Sequence, residues 1–197
     1  MRNCIGDLNN AISQFKEEVC RNDQSRNTVD VAIVEFNDEV RVVQDFVPIS
    51  NIEQTNLRAD GYTAMGTAIN TAIDLVKKRN RLYDSLGTPF FKPWIFMITD
   101  GRPEGEPSSE IERARQRIAE EENKKPVGKL KFFAVAVDHA DQELLKSLTK
   151  RVMILREAKF EGVFDWLSDS MVQISVSSPE DEPQLPPLPP GISIPDW

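Results

Sequence analysis

Two short stretches hold the residues of this chain best suited to chemistry. In Ile98-Thr99-Asp100-Gly101-Arg102-Pro103 an apolar run meets a turn, so a carboxylate stands where a buried strand is expected to end. In Asp60-Gly61-Tyr62-Thr63-Ala64-Met65-Gly66-Thr67-Ala68 a glycine turn is followed by Thr63, just ahead of a predicted helix. Ligands of open α/β sheets collect outside the carboxyl ends of the strands, which is where Asp100 is expected. A hydroxyl and a carboxylate from neighbouring loops are hard oxygen donors and suit Mg²⁺. The same residues also read as an Asp-Gly turn and a Thr helix cap, and taken alone they leave both readings open. A third reading makes Asp100 the nucleophile of a metal-dependent hydrolase or phosphotransferase. Against it, the single histidine, His139, follows a different strand, and neither loop carries a lysine. Residues 61–67 have the outline of a phosphate loop without its lysine. Glu104 and Glu106 add negative potential near Asp100, and Arg102 offers a cation to a partner's carboxylate.

These residues need a scaffold. Ile5, Leu8, Ile12, Phe15 and Val19 fall on one face of a helix over 5–20. Residues 28–37 read as a buried strand, and 39–46 as its antiparallel hairpin partner. Ala68, Ile69, Ala72, Ile73 and Val76 predict a helix over 65–78, followed by a polar loop over 79–92 and a buried strand over 94–99. Ser109 and Glu112 have capping-box spacing for a helix reaching about residue 122. Residues 131–137 read as another buried strand, 141–149 as a short helix and 152–155 as a short strand. Phe164, Leu167, Met171 and Ile174 form the apolar stripe of a last helix. Strands apolar on both faces, alternating with helices, predict a mostly parallel sheet covered on two sides. Residues 31–36, 95–99 and 132–137 are expected in that one sheet. The first helix has no strand before it, although a crossover helix joins two strands.

The chain has 197 residues, of which 40% are hydrophobic and 28% charged, so one domain is expected. A net charge of −8 and a pI near 4.8 disfavour nucleic acid and anionic membrane surfaces as partners. Neither an apolar run of spanning length nor a leader is seen, so a cytoplasmic protein is expected. Cys4 and Cys20 match no zinc spacing and read as reduced thiols. Residues 177–197 form a tail with seven of the thirteen prolines, outside a domain over 1–176. Ile192, Ile194 and Trp197 suggest that this tail docks onto the domain.

The stretches 60–68 and 98–103 resemble the second and third loops of the metal-ion-dependent adhesion site in von Willebrand factor A (vWA) domains. More narrowly, the element order, residues 91–103, the segment 131–141 and the proline-rich end resemble bacterial intracellular A domains of the tellurium-resistance TerY type. The resemblance implies a doubly wound α/β fold with an antiparallel edge strand. It makes Thr63 and Asp100 ligands of Mg²⁺ or Mn²⁺, and it makes the chain a protein-binding module without enzymatic turnover. Arg102 and Glu104 would lie at the partner contact. The partner would offer an Asp or Glu to the metal, and a kinase or phosphatase encoded nearby would fit a stress-response or signalling complex. The family's first loop, Asp-x-Ser-x-Ser at the end of a central strand, is not found in this sequence. Metal binding is therefore expected to be weak or absent. A late start, a truncation or a genuine loss would account for the missing strand, and the gap it leaves invites self-association.

Overall fold

The structure is a computed structural model, in which residues 1, 4–124, 130–138, 140–155, 159–178 and 183–189 are described. The helix-strand alternation is realised as α1 (Ile5–Arg21), α2 (Asp23–Thr28), β1 (Asp30–Phe36), β2 (Val40–Pro48), α3 (Met65–Leu86), β3 (Trp94–Thr99), α4 (Ser108–Asn123), β4 (Lys131–Val137), α5 (Gln142–Leu148), β5 (Val152–Leu155) and α6 (Phe160–Ser175). Strand β4 organises the rest. From Phe132 to Val137 it is buried on both faces, and its period of two divides the core. Phe133, Val135 and Val137 join a cluster with Leu8 and Phe15 of α1 and Phe164 and Trp166 of α6. Phe132, Ala134 and Ala136 join another with Ile69 and Ile73 of α3, Ala114 and Ile118 of α4, and Leu145 of α5. Burying each phenylalanine contributes roughly 1.5–3 kcal/mol, more than an exposed ion pair at about 0–1 kcal/mol. The faces of β4 therefore hold the layers together.

Strands β3, β4 and β5 pair in parallel, with Trp94 opposite Lys131 and Ala134 opposite Val152. Strands β1 and β2 form an antiparallel hairpin. An α/β fold with parallel strands, one antiparallel pair and helices on both faces agrees with the sequence reading. The expectation of one sheet does not hold: β1 and β2 form a two-stranded sheet separate from the three-stranded one. The physical reason is a gap. Both β1 and β3 line a groove between the sheets, and among the described residues no strand bridges it.

Three local expectations are also corrected. Helix α3 runs through 79–86 instead of ending at 78, because Arg79 and Tyr83 anchor on Asp30 at the start of β1. It stops at Gly87, whose φ of 65° suits the left-handed cap, with Thr88 N donating to Tyr83 O at 2.9 Å. Helix α4 starts at Ser108 after Pro107 with no side-chain cap, so Ser109 lies inside the helix and the capping box does not form. The short helix α2, unforeseen, is capped by the Asn22 side chain, which accepts from Gln24 N and Ser25 N.

The proline-rich segment docks where it is described. Trp166 Nε1 donates to Pro186 O at 2.9 Å, and Leu185 and Leu188 pack on the α1/α6 cluster. Ile192, Ile194 and Trp197 lie outside the described residues, as does His139. Both cysteines are free thiols. Burial pushes the Cys4 thiol above its ordinary value, which keeps it protonated and unreactive.

Helices α3 and α4 meet at two informative contacts. A Cβ on Gly66 would come within 2.5 Å of the Glu110 backbone, so only glycine permits the approach. Glu121, 3% exposed, accepts from Lys124 at 2.5 Å and pairs with Lys77 at 3.2 Å. Burial pushes the Glu121 carboxyl upward, but the two lysines outweigh it and hold it below the ordinary 4.5.

Gly66→Ala is expected to cost about 1–3 kcal/mol, read as a lower urea midpoint at unchanged slope; an unchanged midpoint would disprove the close approach. Because the folded Glu121 carboxyl lies below its unfolded value, its contribution is complete above about 4.5 and is lost as pH falls through the folded value. Unfolding curves of Glu121→Gln should accordingly show a shallower loss of stability on acidification than the parent chain.

Candidate functional site

The carboxyl ends of β1 and β3 converge on the turn containing Thr63. Ala64 N donates to Asn37 O at 3.0 Å, just past β1. On the other side Thr63 and Glu104 form a two-way backbone bridge, Thr63 N to Glu104 O at 3.1 Å and Glu104 N to Thr63 O at 3.0 Å. The Thr63 hydroxyl lies 3.4 Å from where a Gly101 Cβ would stand, beside Asp100. The two loops singled out in the sequence are thus brought together, with Thr63, Asp100, Gly101 and Glu104 as neighbours.

Several groups fix that arrangement. Gly61 has a φ of 70°, and a Cβ there would collide with the Asp38 carboxylate. Asp38 Oδ1 accepts from Tyr62 N, which anchors the turn to the β1–β2 hairpin. Asn9 of α1 clamps the preceding loop through both its amide groups, donating to Leu57 O at 3.1 Å and accepting from Leu57 N at 3.0 Å. The start of α3 is capped from outside: Glu106 accepts from Gly66 N at 2.6 Å, Thr67 N at 3.0 Å and Thr67 Oγ1 at 2.9 Å. Glu106 satisfies orphan N–H groups and places a negative charge on the positive end of the helix. The expected helix cap at Thr63 is therefore corrected. The N-cap position is Ala64 with no side-chain bond, and the capping oxygens come from Glu106.

Asp100 is 38% exposed, and its carboxylate is ion-paired with the amino group of Met1. Gly101 N donates to the buried Thr99 Oγ1 at 3.2 Å, which bends the chain after β3. Arg102 turns away to Asp141, 3.2 Å from Nε to Oδ2, yet stays 78% exposed. Asp141 also caps α5, accepting from Leu144 N at 3.1 Å. Glu104 projects from an exposed position, and Tyr62 stands 56% exposed on the rim. Sequence reasoning missed the Met1 contact, the Asn9 clamp and the capping role of Glu106. Only the last leaves a trace in the sequence, where Glu106 reads as a negative charge near Asp100. Among the described residues no His, Cys, Asp or Glu cluster is grouped to hold a metal ion.

The model of the von Willebrand factor type A domain matches residues 5–165. The chain belongs to this family. The resemblance drawn from the two loops is borne out at that level. Among solved structures, the crystal structure of the ArnB paralog VWA2 from Sulfolobus acidocaldarius is similar, with a TM-score of 0.45 and 11% identity over 78% of this chain. This vWA chain spans 38% of the length of that one. Among curated proteins, none matches.

Glu106→Ala is expected to destabilise the domain by about 1–2 kcal/mol, whereas Asp100→Asn should cost less than about 1 kcal/mol because its ion pair is partly exposed. Urea unfolding of the two variants checks the contrast, and an Asp100 variant as damaged as the Glu106 variant would make Asp100 a structural residue.

Proposed function

We propose that the chain is a protein-binding module that engages its partner through the loop cluster at the carboxyl ends of β1 and β3. The observation that carries this reading is the two-way bridge between Thr63 and Glu104. It fixes Thr63 against the segment that follows the partly exposed Asp100, with the Thr63 hydroxyl next to Gly101, while Glu106 caps α3. Arg102 and Glu104 flank the pair as exposed charges that read a partner's complementary groups. Family membership supports an interaction role, and the order of elements with a docked proline-rich end supports the bacterial intracellular TerY-like type. A stress-response or signalling complex, with a kinase or phosphatase as the partner, fits that type. No helix among the described residues is long and apolar enough to cross a membrane.

The donor set does not fit a complete Mg²⁺ or Mn²⁺ site. Thr63 and Asp100 supply two oxygens where Mg²⁺ demands near-octahedral coordination, and the Asp-x-Ser-x-Ser loop implied by the resemblance is missing from the sequence. An ion held by these two residues alone would keep most of its water, so the protein contact does not rest on metal affinity of this chain. Turnover is not part of the reading. The single histidine, His139, follows a different strand, and neither loop carries a lysine to serve beside Asp100.

Titration of the chain with Mg²⁺ or Mn²⁺ is expected to give no saturable heat below about 1 mM, the weak range for protein cation sites; tighter binding abolished by Asp100→Ala would show a working metal site instead. A partner captured from native cells should lose at least ~tenfold in affinity, about 1.4 kcal/mol, with Thr63→Ala or Asp100→Ala. Equal binding by both variants would sink the reading. Phosphatase activity lost in Asp100→Asn would restore the hydrolase alternative.

A further inference from the structure

The proline-rich segment carries a regular pattern of its own. Across residues 183–189 only Gln184 and Pro187 are exposed, and the residues between and around them are half-buried. A repeat of three is the period of a polyproline II helix laid along a surface. Its three edges differ in kind: Pro183, Pro186 and Pro189 form one, Leu185 and Leu188 a second, Gln184 and Pro187 the third. Trp166 Nε1 donates to Pro186 O in the middle of the proline edge, and both leucines pack on the core cluster that contains Trp166. The domain thus holds its own segment as an aromatic-lined groove holds a proline-rich ligand, through an indole donor and two edges of three.

Fastening alone does not call for this pattern. Two leucines and one carbonyl make the observed contacts, yet proline recurs at 183, 186 and 189, and Pro187 stands exposed where it covers nothing. Pro-x-x-Pro is the spacing that proline-reading domains recognise, and it occurs twice in register along one edge. The two edges that such a domain takes are the two turned toward the protein. Docking on α6 and binding to a reader therefore exclude one another.

We propose that residues 183–189 are a polyproline II ligand for a proline-reading domain of a partner protein, kept masked by docking on Trp166. Tied to the end of α6 through residues 176–182, the segment occupies its own site at an effective concentration on the order of 1 mM. A hold worth only about 0.1 mM between separate molecules then masks it roughly tenfold. That suppresses weak encounters and still lets a matching partner displace it. The contact lies at the amino end of β3, where Trp94 stacks on Trp166 at 5.8 Å, and Asp100 follows the other end of that strand. It goes beyond the loop-site reading and stands without it, because it needs neither Asp100 nor a metal.

The test titrates the full chain with a purified WW domain selected for binding the free peptide of residues 183–189. The dissociation constant is expected to be at least ~tenfold higher for the chain than for the peptide. Trp166→Phe keeps a ring in the core but removes the indole N–H, and it should recover most of the peptide's affinity. In the ¹⁵N-labelled parent chain the indole N–H signal of Trp166 should move as the WW domain is added, because its bond to Pro186 O breaks. Should the Trp166 variant unfold, that signal decides alone. Equal affinity of chain and peptide, binding that leaves the signal unmoved, or a folded variant without recovery overturns the masking. A signal unmoved at every concentration of the WW domain makes the segment a fixed fastening and overturns the ligand role. A dimer formed by exchange of the segment between copies would assign it to a second copy and overturn the proposal equally.

Discussion

Everything in this molecule answers to the need to cover both faces of β4. A strand whose every side chain from Phe132 to Val137 is buried cannot rest against solvent on either side. Parallel neighbours demand long crossovers, and the crossovers are the helices that supply the cover. Helices α3, α4 and α5 take one face and α1 and α6 the other. The aromatic side is the more ordered in kind: Phe96 stacks on Phe133 at 4.6 Å, and Trp94 on Trp166 at 5.8 Å. The opposite side is built around Ala134 and Ala136, whose small side chains let the helices of that layer come close.

From that layering the loop cluster follows. Strands that run in one direction deliver their carboxyl ends to one edge, so residues far apart in the chain meet there. The cluster is rigid because its anchors come from several directions. Asn9 holds it from α1, Asp38 from the hairpin, and Glu106 from the loop before α4. Two carboxylates of the same neighbourhood have therefore separated their roles. Glu106 is consumed by three hydrogen bonds at a helix end, while Asp100 keeps partial exposure and a single ion pair.

Much of this was legible in the residues. Among the described residues, period-two and helical patterns placed all five strands and five of the six α-helices, because both signals come from burial, and burial dominates the energetics. That the loops 60–68 and 98–103 stand out was legible too, since turn glycines and a strand-end carboxylate are local in sequence, and the structure brings the two together. What escaped depends on contacts between distant residues. The length of α3 is set by Asp30 reaching Arg79 and Tyr83, and the cap of α3 by a glutamate some forty positions away. The split into two sheets runs along the gap that the sequence already marks by a first helix with no strand before it. A pattern of apolar residues marks a strand but does not say which neighbour satisfies its edges.

The docked proline-rich segment has a consequence of its own. Prolines at 183, 186, 187 and 189 already restrict the backbone before docking, so binding this segment gives up little chain freedom. One indole hydrogen bond and two leucines are then a sufficient hold, though a shallow one. The indole that grips the strap belongs to Trp166, and the same ring leans on Trp94 at the foot of β3. Lifting the strap would unveil a fluorescent side chain in contact with the sheet itself, so the molecule carries an optical reporter of its own fastening.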